Sequence, residues 1–520
     1  MTNNTTSLES LSMAAPQSER PSLPVWHASF RMALVSAASV VAAGLIATGL
    51  TGCANMSGIE PVASLREASS LGLDAPSVQG ETEVPVATQW WREFGDEPLN
   101  RLVAQALESS PNLKLAQTRL ARAQAVMEVA DAATLPQIAG QVDLTRQRYT
   151  ANGAVPPPLA GTILNSGTAQ LSGSWELDFF GKNRAALDSA LGGVNAAQAD
   201  AQAARVLLAS QVARTYFQLV RLNEQVAVAD RTLAQREETL KLVRDRVNAG
   251  LDTRLELRQS EGGLPEARLQ LETLQEQMAL TRHALGALIG QPNAALALAP
   301  SELSAIKKIT VAQNIPADLL GRRADIAAAR WRVEASSKEV VNAKTQFYPN
   351  LNLVAFAGFS SIGLGRLLNS GSQQWGVGPA LRLPIFDAGR LRANLRGKTA
   401  DLDAAVEIYN VAVVDAVRDV ADQVTSSQAI ARQQAQQQAA QEAAEAAYEI
   451  ALQRYKAGLG NYLNVLSAET SVLSQRRLAV DLAGRALDTQ VALIRALGGG
   501  YQAESTSASQ SVTKTIAGGG

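Results

Sequence analysis

The feature that most constrains this chain is a run of helix-forming sequence from Gly389 to about Leu497, broken once near its middle. Between Arg390 and Lys456 there is no proline, and glycine occurs only at Gly397. At 1.5 Å per residue a helix of that span is about 100 Å long, whereas helices of globular domains average about 12 residues. Residues 435–447 are all alanine, glutamine or glutamate, strong helix formers with little apolar bulk. Such a helix packs closely through small side chains but builds no thick core alone. The break falls at residues 454–461 (RYKAGLGN), where Gly458 and Gly460 permit the positive φ that ends a helix. A second helical pattern resumes at Tyr462. The pair reads as a very long helical hairpin, suited to spanning a distance rather than surrounding a pocket.

The composition agrees with coiled helices. Only 4% of the 520 residues are aromatic against 46% hydrophobic, an alanine-weighted profile. The 47 basic and 48 acidic residues leave a net charge of −1, so no basic excess points to nucleic acid.

Residues 1–52 read as a signal peptide: a polar lead with Arg20 and Arg31, then the small apolar run 32–50, ending at Leu50-Thr51-Gly52 before Cys53. Cys53 is the chain's single cysteine, and its position marks it as the lipidation site and first mature residue. Residues 53–89 are Ser-, Pro- and Gly-dotted and read as a lipid-anchored extended linker. Asp96 is the expected N-cap of a helix reaching Ser109, with Pro98 in its first turn, and Pro111 opens the next helix, stopped by Pro136. The period then changes to two. Ile138, Val142 and Leu144 alternate with Gln137, Gln141 and Asp143, and Leu171, Trp175 and Leu177 alternate with Gln170, Ser174 and Glu176. These are strands wetted on one side. A single helix is expected from Ala185 to Ala249.

The sequence then repeats. Residues 246–257 (RVNAGLDTRLEL) align with 454–465 (RYKAGLGNYLNV) at a shift of 454 − 246 = 208. A helix ending at Pro136 has a counterpart ending at Pro349, and a second strand pair follows. Each half reads helix, strand, loop, strand, long helix, glycine turn, helix. The first structural repeat is 90–317, with strands at about 137–149 and 168–180 and a tip near 250. The second is 318–498, with strands at about 351–360 and 374–386 and a tip near 458. Pro379 and Pro384 fit an edge strand, Gly262-Gly263-Leu264-Pro265 is expected to interrupt and kink the helix after the first tip, and residues 499–520 are expected to be a disordered tail. Four strands with an apolar face cannot close on themselves, since the smallest closed barrels need about eight. The face must be buried in a sandwich on a helical stalk or shared with other copies, and the lipid anchor and export signal favour a shared barrel in the outer membrane.

Seven motifs in order carry a family resemblance: LTGC at 50–53, WWREFGDEPL at 90–99, WELDFFG at 175–181, LLGRRADI at 319–326, FYPNL at 347–351, PIFDAG at 384–389 and RYKAG at 454–458. With them the chain resembles the outer-membrane efflux protein family, the TolC-like channels, in its lipoprotein branch serving RND-type multidrug pumps. The resemblance implies a mainly α fold with a small β part: a homotrimer whose four strands per chain form one transmembrane β-barrel, continued by a long α-helical coiled-coil barrel. It implies an exit duct of a tripartite efflux system, passive and not an enzyme, needing no cofactor or metal. A periplasmic membrane-fusion adaptor, an inner-membrane RND-type pump and outer-membrane lipid are the implied partners. A duct for type I protein secretion or metal-ion efflux, or a non-pore adaptor lipoprotein, are the alternatives. The implied gate is Leu463, Asn464 and Ser467, held shut by Tyr455 and Arg454 bonding to Glu256, with adaptor-facing turns at Gly250-Leu251 and Gly458-Leu459. The chain departs from the family pattern in two places. Ala324 stands where proline is usual, and neither Asn464 nor Ser467 is the carboxylate that family members commonly carry. An apolar ring from Leu463, closing by dewetting, survives that change. His283 is the one histidine after the signal, and no nucleophile elbow or phosphate loop is present.

Overall fold

The computed structural model describes residues 56–66, 86–293, 298–309 and 321–502. Cys53, the signal peptide and the tail beyond residue 502 lie outside the described residues. The chain divides into two units, Met1–Ser57 and Gly58–Gly520, and every element below belongs to the second. In order these are α1 (Glu97–Ser109), α2 (Pro111–Ala132), β1 (Gln137–Arg148), β2 (Ile163–Leu177), α3 (Lys182–Asn248), α4 (Arg254–Leu288), α5 (Ala324–Thr345), β3 (Asn350–Ile362), β4 (Gln373–Arg382), α6 (Arg390–Lys456) and α7 (Tyr462–Ala496). The two halves repeat each other element by element from α2 and α5 onward, and α3 and α6 both run for 67 residues.

Local chemistry places the helix ends. Asp96 Oδ1 accepts the Leu99 N–H at 2.8 Å, and Pro111 stands at the first position of α2, where its missing N–H costs nothing. The motif at 90–99 then builds the main core. Trp90, Trp91 and Phe94 are buried with Leu99, Tyr216, Phe217, Leu285, Val491 and Ile494, and the Phe94 and Phe217 rings meet edge-on at 4.9 Å. The Tyr216 hydroxyl donates to Asp96 Oδ2 at 3.1 Å, so one carboxylate both caps α1 and satisfies a buried phenol. Part of the expected linker is held against α6, where Asp403 Oδ1 accepts the N–H groups of Val62 and Ala63, each at 2.9 Å.

The strands form one antiparallel sheet in the order β1-β2-β3-β4. Its apolar face is bare: Ile138 and Trp375 are each 78% exposed, and Val142, Leu171 and Val377 are also open. Among the described residues both edges, β1 and β4, are unpaired in the single chain. Pro379 sits in β4 opposite Leu353, the edge position its missing N–H requires. No helix among the described residues is long and apolar enough to cross a membrane.

Four expectations differ from the structure. β2 begins at Ile163, and β4 ends at Arg382, before Pro384 removes another ladder donor. α4 is not interrupted at Gly262-Gly263-Leu264-Pro265 but runs unbroken with Pro265 inside it. Gly250 and Gly458 take left-handed φ of 72° and 74°, whereas Gly460 does not.

Candidate gate at the hairpin tips

The two tips are built alike because the repeat places the same atoms in the same order. Leu251 N–H donates to Arg246 O at 2.9 Å and Gly250 N–H to Val247 O at 3.0 Å. Leu459 N–H donates to Arg454 O at 2.8 Å and Gly458 N–H to Tyr455 O at 3.1 Å. Each set closes the last carbonyls of a long helix around a left-handed glycine. The returning helices start at equivalent residues 208 apart, Thr253 and Asn461, which cap α4 and α7 with their side chains.

Between the tips lies a compact hydrogen-bonded network. The Tyr455 hydroxyl donates to Asp252 Oδ2. Arg246 Nε donates to the same carboxylate oxygen at 2.9 Å, and Arg246 Nη1 donates to the Tyr455 carbonyl at 3.0 Å. The Arg246 guanidinium also lies over the Tyr455 ring, 4.5 Å from its centroid. Tyr455 is buried with Tyr448, Tyr462, Val465 and Val472 beneath it. Burial alone would raise the Asp252 carboxyl, but hydrogen bonds from Arg246 and Tyr455 outweigh it and hold it below the usual carboxylate range. Burial, followed by the neighbouring Asp252 carboxylate, pushes the Tyr455 phenol upward, so it stays protonated and able to donate. One group from the first hairpin's turn therefore grips one from the second through a charge-assisted network.

The residue that Tyr455 bonds across the tips is Asp252, not the expected Glu256. Glu256 Oε2 accepts the Thr253 N–H at 2.9 Å, closing a capping box at the start of its own helix. Arg454 reaches the Leu459 carbonyl of its own tip, at 3.4 Å, and among the described residues makes no bond to Glu256. The cation across the tips is Arg246. Leu463 is 59% exposed, and Asn464 and Ser467 share its open side, while Tyr462, Val465 and Glu469 turn inward. Leu251 and Leu459 stand open at the turns themselves.

Above this network, the seam between α3 and α7 is charge-coded. Arg214 Nε and Nη2 hold Asp488 at 2.5 and 3.1 Å, Gln225 holds Asp481 at 2.6 Å, and Arg236 Nε meets Glu469 at 3.3 Å. At these ion pairs the cations stand on α3 and the carboxylates on α7.

The sequence model of the outer membrane efflux protein family matches residues 102–291 and 315–499. The chain is 33% identical over 471 residues to the multidrug resistance outer membrane protein MdtQ of Escherichia coli O6:H1, covering 86% of this chain and 96% of that one. Its fold superposes on the outer membrane protein VceC of Vibrio cholerae with a TM-score of 0.76 at 36% identity, covering 81% of this chain and all of that one. It also superposes on the open state of the Neisseria gonorrhoeae MtrE outer membrane channel with a TM-score of 0.75 at 26% identity, covering 85% and 98% of the two chains.

Proposed function

Because the chain belongs to the outer membrane efflux protein family, a family of outer-membrane channels, we propose that it is the exit duct of a tripartite efflux system, conducting drugs and other small solutes passively outward. The observation that carries this reading is the four-stranded sheet with a bare apolar face and two free edges. In water such a sheet is an aggregation hazard. In a membrane, three copies pairing β4 to β1 supply twelve strands, enough to close a barrel with the apolar face on lipid. The loops 149–162 and 363–372 then face outside, and the helices extend into the periplasm. Lipid on Cys53 adds an anchor beside this barrel.

The tips form the gate. Asp252, Tyr455 and Arg246 hold the second hairpin against the first, and Leu463, repeated three times, narrows the passage as an apolar ring backed by Asn464 and Ser467. Gly250-Leu251 and Gly458-Leu459 are the surfaces offered to a membrane-fusion adaptor, which couples the duct to an RND-type pump. Breaking the lock frees the second hairpin to swing outward, in keeping with the open state adopted by its relative MtrE.

Single-channel recording in planar bilayers tests this. The intact protein should open rarely, while Tyr455→Phe and Asp252→Ala should raise open probability about tenfold, the loss of one charge-assisted hydrogen bond. The folded Asp252 pKa lies below its unfolded value. Its contribution is therefore present above the ordinary carboxylate value near ~4 and is lost as the pH falls through the lowered folded one, so acid should mimic Asp252→Ala. A protein that never conducts with the lock removed is not a duct.

A further inference from the structure

The strand register assigns every sheet residue to one face, and an aromatic ring interrupts the polar one. On the face opposite Ile138, Val142, Leu171 and Trp375, the cross-strand rows read Asp143–Thr168–Ser360, then Gln141–Gln170–Gly358–Gln374, then Ala139–Ser172–Phe356–Gly376, then Gln137–Ser174–Val354–Gly378, then Glu176–Asn352–Ala380. Two hydrogen bonds confirm the shared face. Thr168 and Ser360 hydroxyls meet at 3.2 Å, and Gln374 Nε2 donates to Gln170 Oε1 at 3.1 Å across Gly358. These rows are polar or small except at Phe356 and Val354; further out, Ile362 beside Ser166 and Leu164 beside Gln147 add aliphatic bulk at the rim, so Phe356 is the one aromatic ring in these rows. Phe356 and Val354, two positions apart on β3, form a small apolar patch on this otherwise polar stretch.

The neighbours do not bury these side chains. Ser172 and Gly376 flank Phe356, and Ser174 and Gly378 flank Val354, so none has the bulk to cover them. Phe356 keeps 37% of its surface open. Gly376 is what the ring lies on: a Cβ added there would stand 2.7 Å from Phe356 Cε1 and 2.9 Å from Cζ. The ring therefore rests along the wall with one side exposed. The next row outward is a belt of three amides, Gln141, Gln170 and Gln374.

We infer that Phe356, seated on Gly376 beside this glutamine belt, is a contact site in the barrel wall for planar aromatic amphiphiles in transit, and hence a determinant of which solutes the duct favours. The inference rests on the duct reading, which makes this face the lumen. Twelve strands about 4.8 Å apart and tilted by roughly 40° close at a radius of roughly 12 Å. A ring lying along that wall cannot plug the passage. It offers instead a stacking surface with amide donors and acceptors about 7 Å away along the strand, three times around the barrel. Solutes without an aromatic face gain nothing from it.

The test is current block in planar bilayers, using the lock-free Asp252→Ala protein as parent so that the tip is not limiting. Ethidium is the aromatic probe and choline the aliphatic cation of equal charge. Phe356→Ser should shorten ethidium block about tenfold, the loss of one aromatic contact, and leave choline permeation and open-channel current within a factor of two. Gly376→Val, which displaces the ring without removing it, and Phe356→Leu, which keeps apolar bulk without a π face, should each give the same direction of change. They carry the test if the serine variant does not assemble. Ethidium block equal to the parent's in all three variants overturns the inference while conductance shows the duct intact. No conductance from the parent overturns the duct reading and this inference with it.

Discussion

Arg236 on α3 serves three helices at once. Its Nη1 donates to Gly263 O at 2.7 Å and pairs with Glu266 at 3.1 Å on α4, and its Nε meets Glu469 of α7 at 3.3 Å. Glu469 is buried, whereas Glu266 is open to water. Burial pushes the Glu469 carboxyl above its usual range; Arg236 opposes that and Glu266 adds to it. A raised carboxyl contributes stability that is present below its unfolded pKa and lost as the pH rises through the folded one. The two partners should therefore behave unequally. Arg236→Ala strands a buried carboxylate and should cost about 3 kcal/mol or more. Glu469→Gln leaves Arg236 its other two partners, so it should cost less and flatten the pH slope just above the ordinary carboxylate range. Thermal unfolding of the detergent-purified variants across pH reads both, and equal losses from the two would show that Glu469 is not the buried member. At this scale the sequence was only partly legible. Tyr455 is reached through the family resemblance carried by RYKAG at 454–458. Asp252 is not, because the resemblance points to Glu256 as the carboxylate across the tips. A local signal was available: Thr253-Arg254-Leu255-Glu256 is a capping-box pattern, which commits Glu256 to its own helix and leaves Asp252 free to face the other tip.

Helix α4 shows how an element tolerates residues that ought to break it. Pro265 offers no N–H to the Glu261 carbonyl one turn earlier, and Gly262 and Gly263 add backbone freedom, yet the helix continues. Arg236 bonding to the Gly263 carbonyl, and the packing of α4 along α3, hold what intrinsic propensity would release. Tertiary contact overrides a local rule here, which is why the expected interruption is absent. Gly262 has no atom within 4 Å of where a Cβ would stand. Gly262→Ala should therefore stabilise the protein by about 0.5–1 kcal/mol through helix propensity alone, seen as a higher midpoint in thermal unfolding. A lower midpoint would mean that the glycine is needed for a local bend. Gly192 is the opposite case: its Cβ would stand 3.0 Å from Ala335 Cβ and 3.1 Å from Ala335 Cα, so α3 and α5 would have to give by a few tenths of an ångström to accept it. The long helices were legible because almost nothing interrupts them, and the strands because their faces alternate. The start of β2 was not, since Ile163-Leu164-Asn165-Ser166-Gly167 places two apolar residues together and then three small or polar ones.

For the whole molecule, the two faces of one sheet must meet different solvents, and a one-residue step along a strand exchanges them. Gln141 and Val142 are neighbours in β1, at the same depth and on opposite faces. Arginine at either position adds the same charge to the same strand, so any difference in outcome reports solvent and not charge. On the apolar face, Val142→Arg puts a guanidinium into hydrocarbon, at about 2–4 kcal/mol per copy near the midplane. Three copies multiply the cost, and the assembled oligomer should be lost from the membrane fraction or melt to monomer far earlier in detergent. On the other face, Gln141→Arg adds a ring of cations to a water-filled passage. Assembly should survive, and the reversal potential under a salt gradient should shift toward anions. A sandwich buried in protein would make the opposite prediction for the second variant, because a charge at Gln141 would then meet no water channel and could change no selectivity. Oligomer loss from both variants, or from neither, would be incompatible with a wall that has lipid on one side and water on the other.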